Sequence, residues 1–122
     1  MYQLPIFEAM KSAVEELDLR WSKLLEKLEK QFGNKPDLNL VLILIGMREL
    51  GKVKTKWGKE EKVNLMHIAV CRLLSEEGYY ELEGQDADGW PHWKALKKLP
   101  FINVIEQEIY LKERVVDYFD SL

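Results

Sequence analysis

The stretch Leu38 to Leu50, LNLVLILIGMREL, decides the fold because it is apolar almost throughout and belongs at the centre of a core. Its periodicity fits a buried helix or a buried strand, and its β-branched residues favour the strand. Its ends favour the helix, since Asp37 is placed to cap an N-terminus and Arg48 followed by Gly51 is typical of a C-terminus. We therefore predict a buried helix here, helix 2 of the chain.

A long amphipathic segment precedes this stretch. From Pro5 to Phe32 apolar residues recur at alternating spacings of three and four, which predicts helix 1, and the Gly33–Pro36 turn ends it. A helix of this length would measure roughly 42 Å at about 1.5 Å per residue, more than a domain of this size needs. We expect part of it to project or to pair with a second copy, or else the whole helix to lie along the others. The predicted seam is Phe7, Met10, Val14, Leu17, Trp21, Leu24 and Leu28.

Two more helices are predicted in the second half of the chain. Glu60 and Glu61 favour the N-terminus of helix 3, which ends near Gly78, and Pro100 is expected to open helix 4, which runs to about Ser121. The predicted inward face of helix 3 is Val63, Met66, Val70, Leu73 and Leu74.

The segment between helices 3 and 4, Gly78 to Leu99, has the sequence GYYELEGQDADGWPHWKALKKL. It is rich in aromatic and acidic residues, and the Asp88–Gly89 dipeptide is typical of a turn. The sequence therefore predicts an all-α, four-helix bundle-like single domain over residues 1–122. A long aromatic and acidic loop, or a small β-hairpin, would connect helices 3 and 4.

Composition limits the setting and the partners. The single cysteine, Cys71, excludes an intramolecular disulfide and a zinc site made of several thiolates. The N-terminus does not have the pattern of a signal peptide, and no apolar run is long enough to cross a bilayer, so we expect a cytoplasmic protein without a membrane partner. Residues 1–62 carry 12 Lys and Arg against 10 Asp and Glu, and residues 63–122 carry 6 against 11, giving charges of +2 and −5. This mild asymmetry is typical of a solvated lysine-rich loop and does not favour nucleic acid as a partner.

One flank of helix 3 combines metal-binding and nucleophilic residue types. Glu60, Asn64, His67 and Cys71 share a stripe on this helix. Three interpretations stay open: a metal site of Glu60, His67 and Cys71 completed by His92 or Asp86, a Cys71 nucleophile activated by His67, and an ordinary buried histidine and thiol.

The run LLSEEGYYELEGQDADGW resembles the wing of a winged helix-turn-helix domain, because a Gly-aromatic step leads from a helix into a hairpin. This resemblance implies a DNA-binding regulator. The run carries acids and no lysine or arginine, whereas contact with phosphate requires cations.

The aromatic segment and helix 4 supply a further group of candidate residues for binding a ligand or a partner. The segment is expected to act as a structural lid or as a recognition surface. Glu108 and Lys112 are expected either to line a polar pocket beneath it or to form an ion pair where two copies associate. The candidates are Tyr79, Tyr80, Trp90, His92, Trp93, Glu108 and Lys112.

These patterns predict three functions in order of preference. The first is a non-enzymatic interaction or scaffold protein that forms a homo-oligomer through helix 1 or helix 4, with a further protein partner left open. The second is a small-molecule or metal-binding protein with a site between Glu60, His67, Cys71 and residues 79–93. The third is a DNA-binding regulator of the winged-helix type. No cofactor is expected.

Overall fold

The computed structural model describes residues 3–52 and 54–122 of the chain. The protein is mostly helical, with four helices and one two-stranded antiparallel hairpin in the described part. The elements in chain order are α1 (Gln3–Phe32), α2 (Leu38–Leu50), α3 (Lys59–Ser75), β1 (Tyr80–Gln85), β2 (Pro91–Ala95) and α4 (Val104–Asp120). None of the helices in this part of the chain has both the length and the apolar run that crossing a membrane requires.

The apolar stretch that decides the fold is helix α2, so the prediction of a helix over strand is confirmed. The side chain of Asp37 caps it by accepting the N–H of Leu40 at 2.8 Å. Gly51 ends it in the left-handed conformation with φ 77°, and its N–H donates to the carbonyls of Met47 and Arg48.

The core is centred on α2 and α3. Val41 and Ile45 of α2 and Leu73 of α3 belong to one large cluster of buried side chains, to which α1 and α4 also contribute. The two central helices approach closely at Gly46, where an added Cβ would lie 2.2 Å from the carbonyl oxygen of Leu65. A second cluster, of Leu50, Leu65 and Ile68 with tryptophan side chains, lies on the side of the hairpin.

Helices α1 and α4 are parallel neighbours, although they lie at opposite ends of the chain. Arg20 of α1 forms ion pairs with Asp117 at 2.9 Å and Asp120 at 2.7 Å in the last turns of α4. Among the side chains of α1 whose burial the structure describes, the buried ones lie in its C-terminal half: Trp21, Leu24, Leu25 and Leu28. The seam predicted for α1 thus continues beyond the core, and its Phe7 side chain lies outside the described part.

Two predicted boundaries and faces differ from the structure. Helix α4 begins at Val104 and not at Pro100, because Asn103 caps it by accepting the N–H of Glu106 at 2.9 Å. The predicted inward position of Val63 is wrong, since this side chain is 59 % exposed. Leu65 and Ile68 are buried instead, because α3 packs against α2 on one side and against the hairpin on another.

The sequence predicted either a long loop or a small β-hairpin between helices 3 and 4, and the structure has the hairpin. Tyr80 pairs with Ala95 and Leu82 with Trp93, and the register shifts between Leu82 and Gly84. Asp88–Gly89 forms the predicted turn, with Gly89 at φ 86°. Both strands pack against α3, which brings the hairpin to the flank that carries His67.

Candidate ligand site and exposed apolar face

A pocket of about 360 Å³ lies between α3 and the hairpin, and it contains both histidines of the chain. We call it the indole pocket. It is lined by Asn64, His67, Ile68, Asp86, Trp90, Pro91, His92 and Trp93. Of the predicted helix 3 residues Glu60, His67 and Cys71, only His67 lines this pocket, together with Trp90, His92 and Trp93 of the aromatic segment. Ile68 and Pro91 were not among the predicted site residues, because neither side chain carries a reactive or charged group that marks it in the sequence.

Asp86 organises the hairpin side of the indole pocket. Its Oδ1 atom accepts the backbone N–H groups of Asp88 and Trp90, both at 3.0 Å, and its Oδ2 atom lies 3.0 Å from Nε2 of His92. These hydrogen bonds, led by that of His92, hold the pKa of Asp86 below its usual range. Asp86 is therefore an ionised carboxylate at neutral pH, and it fixes the positions of both Trp90 and His92.

The two indole side chains of the pocket rest on the protein core. Trp90 and Trp93 pack against the cluster of Leu50, Leu65 and Ile68. Trp57 meets Trp90 edge to face, with ring centroids 6.4 Å apart and planes at 85°. The walls are thus formed before any ligand arrives, which reduces the cost of ordering side chains on binding.

Cys71 lies behind this pocket and not in its wall. Its Sγ atom is 3.6 Å from Nε2 of His67, and burial raises the pKa of the thiol from 9.0 to about 11. A protonated thiol is a poor nucleophile and a poor metal ligand, so the structure gives Cys71 the character of a core residue. Glu60 is exposed and does not line the pocket, and within residues 3–52 and 54–122 no three His, Cys, Asp or Glu side chains are arranged to hold a metal ion.

The two candidate tyrosines, Tyr79 and Tyr80, do not line the pocket. Lys97 places its ammonium 4.3 Å from the ring centroid of Tyr79. Tyr80 is half-buried, and burial raises the pKa of its hydroxyl. Of the aromatic set predicted for binding, Trp90, His92 and Trp93 share one pocket and the two tyrosines do not.

The ion pair predicted on helix 4 exists, with Nζ of Lys112 at 3.4 Å from Oε1 of Glu108. Lys112 also lies 5.4 Å from the ring centroid of Trp21 on α1. Glu108 lines a separate groove of about 430 Å³, which is lined by residues of α2, α3 and α4 together with Asp37. In the described part of the chain the hairpin contributes no residue to this groove, so the pair is not the floor of a site beneath the aromatic segment.

Apolar side chains are exposed where α1 and α4 extend beyond the core. Val14 of α1 and Ile109 of α4 line one cleft of about 290 Å³. We define the α1/α4 apolar face as Ile6, Met10, Val14, Ile102, Ile105 and Ile109, all of which are exposed. Met10 and Val14 belong to the seam predicted for helix 1. The sequence signal for their exposure was the length of this helix, which exceeds what a domain of this size needs.

Comparison of this chain with models of protein families, with curated proteins and with solved structures found no match. The indole pocket and the α1/α4 apolar face are therefore the basis for assigning a function.

Proposed function

We propose that this protein is a non-enzymatic interaction or scaffold protein that forms a homo-oligomer through the α1/α4 apolar face. The supporting observation is the exposure of six large apolar side chains on the two helices and at the start of α4. Their exposed fractions are 64 % for Ile6, 63 % for Met10, 51 % for Val14, 89 % for Ile102, 70 % for Ile105 and 43 % for Ile109.

The number of large apolar side chains exposed on this face favours association over a free surface. Monomeric soluble proteins rarely expose contiguous apolar patches larger than a few hundred Å². Complete burial of one such side chain contributes about 1.5–3 kcal/mol. Six of them on each copy are enough to offset the roughly 4–15 kcal/mol that association costs in lost freedom of motion.

The parallel arrangement of α1 and α4 supports a second copy of the chain as the partner. Arg20 pairs with Asp117, and Val14 shares a cleft with Ile109, so similar sequence offsets relate the two helices along their length. The difference in residue number between Met10 and Ile105 is the same as that between Val14 and Ile109, so we infer that Met10 and Ile105 lie near each other. Two such helix pairs, related by a twofold axis, would bury the same face on both copies in a four-helix arrangement. The bundle-like organisation expected from the sequence would then be completed between chains.

Sedimentation velocity tests this proposal. We expect the wild-type protein to convert from the 14.4 kDa monomer to a dimer as its concentration rises through the micromolar range. The variant Ile105→Lys places a charge in the face, and we expect at least about tenfold weaker association, or about 1.4 kcal/mol.

Leu19→Lys is the matched control, because Leu19 is a 56 % exposed apolar residue of α1 that lies outside the face. It should associate like the wild type. Wild-type protein that sediments only at 14.4 kDa at high micromolar concentration would refute the proposal. Equal weakening by both lysine variants would place the interface elsewhere.

A further inference from the structure

We propose that the indole pocket binds a methylated ammonium group, a small cation with an apolar coat. This inference does not depend on the association proposed above, because the pocket and the α1/α4 apolar face share no residue.

The lining of the pocket suits a cation. Two indoles and two imidazoles supply aromatic rings, Asp86 supplies a negative charge, and no lysine or arginine is among the described lining residues. Indole has the strongest attraction for cations among the aromatic side chains, and this attraction grows when the cation is desolvated. The pocket thus combines aromatic surface with a fixed anion.

The surroundings of the pocket add to this preference for positive charge. Glu83 and Asp88 lie on the hairpin or its turn within a few residues of Asp86, and Glu81 lies further along β1, where it pairs with Lys94. The ammonium of Lys52 reaches the turn and donates to the carbonyl of Asp88 at 3.1 Å. It does not line the pocket, so the local field favours a cationic ligand.

The hydrogen bonds of Asp86 select the kind of cation. Its carboxylate is already bonded by Asp88, Trp90 and His92, which occupy both oxygen atoms. A primary ammonium needs free acceptors to replace its water shell, whereas a methylated ammonium needs few or none. Three of the roughly four acceptor positions of the Asp86 carboxylate are therefore filled, so Asp86 offers its charge with little remaining capacity to accept hydrogen bonds. This combination suits a cation whose surface is made of methyl groups.

The size of the pocket agrees with such a ligand. A volume of about 360 Å³ lies at the lower end of the range typical of small-molecule sites, roughly 300–1,000 Å³. Trp90 and Trp93 are held by the core, so the walls do not have to form around the ligand. A rigid, partly enclosed pocket of this size suits a single head group.

A paired titration tests the proposal on the full chain at pH 8, where histidine side chains are generally neutral. Choline is compared at constant ionic strength with 3,3-dimethylbutan-1-ol, which has the same shape without the charge. The indole N–H resonances of the four tryptophans are followed by NMR. We expect saturable shifts at Trp90 and Trp93 with choline, with a dissociation constant on the order of 1 mM, and no shift at Trp21.

Two variants separate the charge from the shape of the pocket. Asp86→Asn keeps an oxygen that can accept the N–H groups of Asp88 and Trp90 and removes the charge, so we expect about tenfold weaker choline binding. Asn64→Lys adds a cation to the wall formed by α3 without touching the hairpin turn, and it should abolish binding. It also serves as the decisive variant if Asp86→Asn disturbs the turn.

Three results would overturn the proposal. The first is the absence of saturable shifts with choline in the wild-type protein. The second is an equal response to the neutral alcohol, which would mean that the pocket recognises apolar shape alone. The third is unchanged choline affinity in Asn64→Lys, which would place the ligand outside the indole pocket.

Discussion

Gly46 is the residue on which the packing of α2 against α3 most directly depends. A Cβ atom at this position would lie 2.2 Å from the carbonyl oxygen and 2.9 Å from the Cα atom of Leu65. These atoms belong to the backbone of α3, which cannot rotate out of the way as a side chain can. The glycine therefore sets the separation of the two central helices.

We expect Gly46→Ala to lower the free energy of unfolding by at least about 2 kcal/mol, measured by urea denaturation. Helix propensity alone predicts the opposite sign, because alanine stabilises a helix interior by about 1 kcal/mol relative to glycine. The direction of the change thus separates the two effects. Leu40→Ala, at an exposed position of the same helix, should cost less than Gly46→Ala, and a stabilised Gly46→Ala variant would contradict the close approach.

Single residues differ in how far their roles follow from the sequence. Asp37 and Gly51 act on backbone groups within a few residues, so local pattern was enough to predict both caps. Gly46 is required by the backbone of Leu65 on another helix, and Asp86 holds Trp90 and His92 through the geometry of a folded turn. Such roles depend on the positions that segments take in the folded protein. The spacing of apolar residues along the sequence carries no information about these positions.

At the scale of elements, a polar network joins α2, α3 and α4. The hydroxyl of Tyr118 donates to Glu49 at 2.6 Å and accepts from Arg48 at 3.0 Å. Arg72 of α3 forms an ion pair with Glu49 at 3.3 Å, and its guanidinium lies 5.6 Å from the centroid of the Tyr118 ring. One tyrosine thus links three helices through its hydroxyl and its ring.

Two tyrosines of α4 provide a matched test of this network. Tyr118→Phe should lower the free energy of unfolding by about 1–2 kcal/mol, because Glu49 and Arg48 lose the hydroxyl of a buried tyrosine as their partner. Tyr110→Phe should cost less, because the buried Tyr110 hydroxyl makes no hydrogen bond of good geometry among the described residues and interacts with one acceptor side chain, that of Glu77. Equal costs for the two variants, measured by thermal or urea unfolding, would show that the network contributes nothing specific.

The elements themselves were predictable to different degrees. Helix α2 has the predicted bounds because its apolar run and both end signals agree. The start of α4 was missed because Pro100 and Asn103 are both good N-terminal signals, and only the hydrogen bond from Glu106 decides between them. Val63 of α3 was misplaced because a helix with neighbours on two sides has a broad apolar arc, and its exact centre depends on those neighbours.

At the scale of the whole molecule, several proton-bearing groups lose exposure on folding. Burial raises the pKa of Cys71 to about 11 and, with a contribution from nearby Glu77, that of Tyr110 to about 12. Burial also raises the pKa of Tyr118. The folded protein therefore retains protons that the unfolded chain releases near the ordinary pKa values of 9.0 for a cysteine thiol and 10.0 for a tyrosine hydroxyl.

These shifts predict a loss of stability in alkaline solution. Because the folded pKa values lie above the unfolded ones, their contribution is complete below about pH 9 and is lost as the pH rises towards 11 and 12. Urea unfolding at a series of pH values should show a falling free energy across this window, and tyrosinate absorbance should show a late-titrating fraction. Constant stability from pH 8 to pH 11, or one titration of all tyrosines together, would contradict the burial of these groups.

The position of α1 relative to α4 is the largest feature of the fold that could not be predicted from the sequence. The seam of helix 1 predicts that one face is apolar, and Trp21 and Leu24 do enter the core. Met10 continues the same spacing but is exposed, because the neighbouring helices do not cover this part of α1. Periodicity therefore located an apolar face and could not distinguish its covered half from its open half.

The pairing of α1 with α4 also bears on how the chain folds during synthesis. Arg20 and Asp117 are 97 positions apart, whereas α2 and α3 are joined by a short connection. At about 5–20 residues per second, α4 leaves the ribosome at least several seconds after α1. During that interval Trp21, Leu24 and Leu28 lack the neighbours that α4 supplies. We therefore expect α2 and α3 to pack together first and α1 to complete its packing only after α4 has been synthesised.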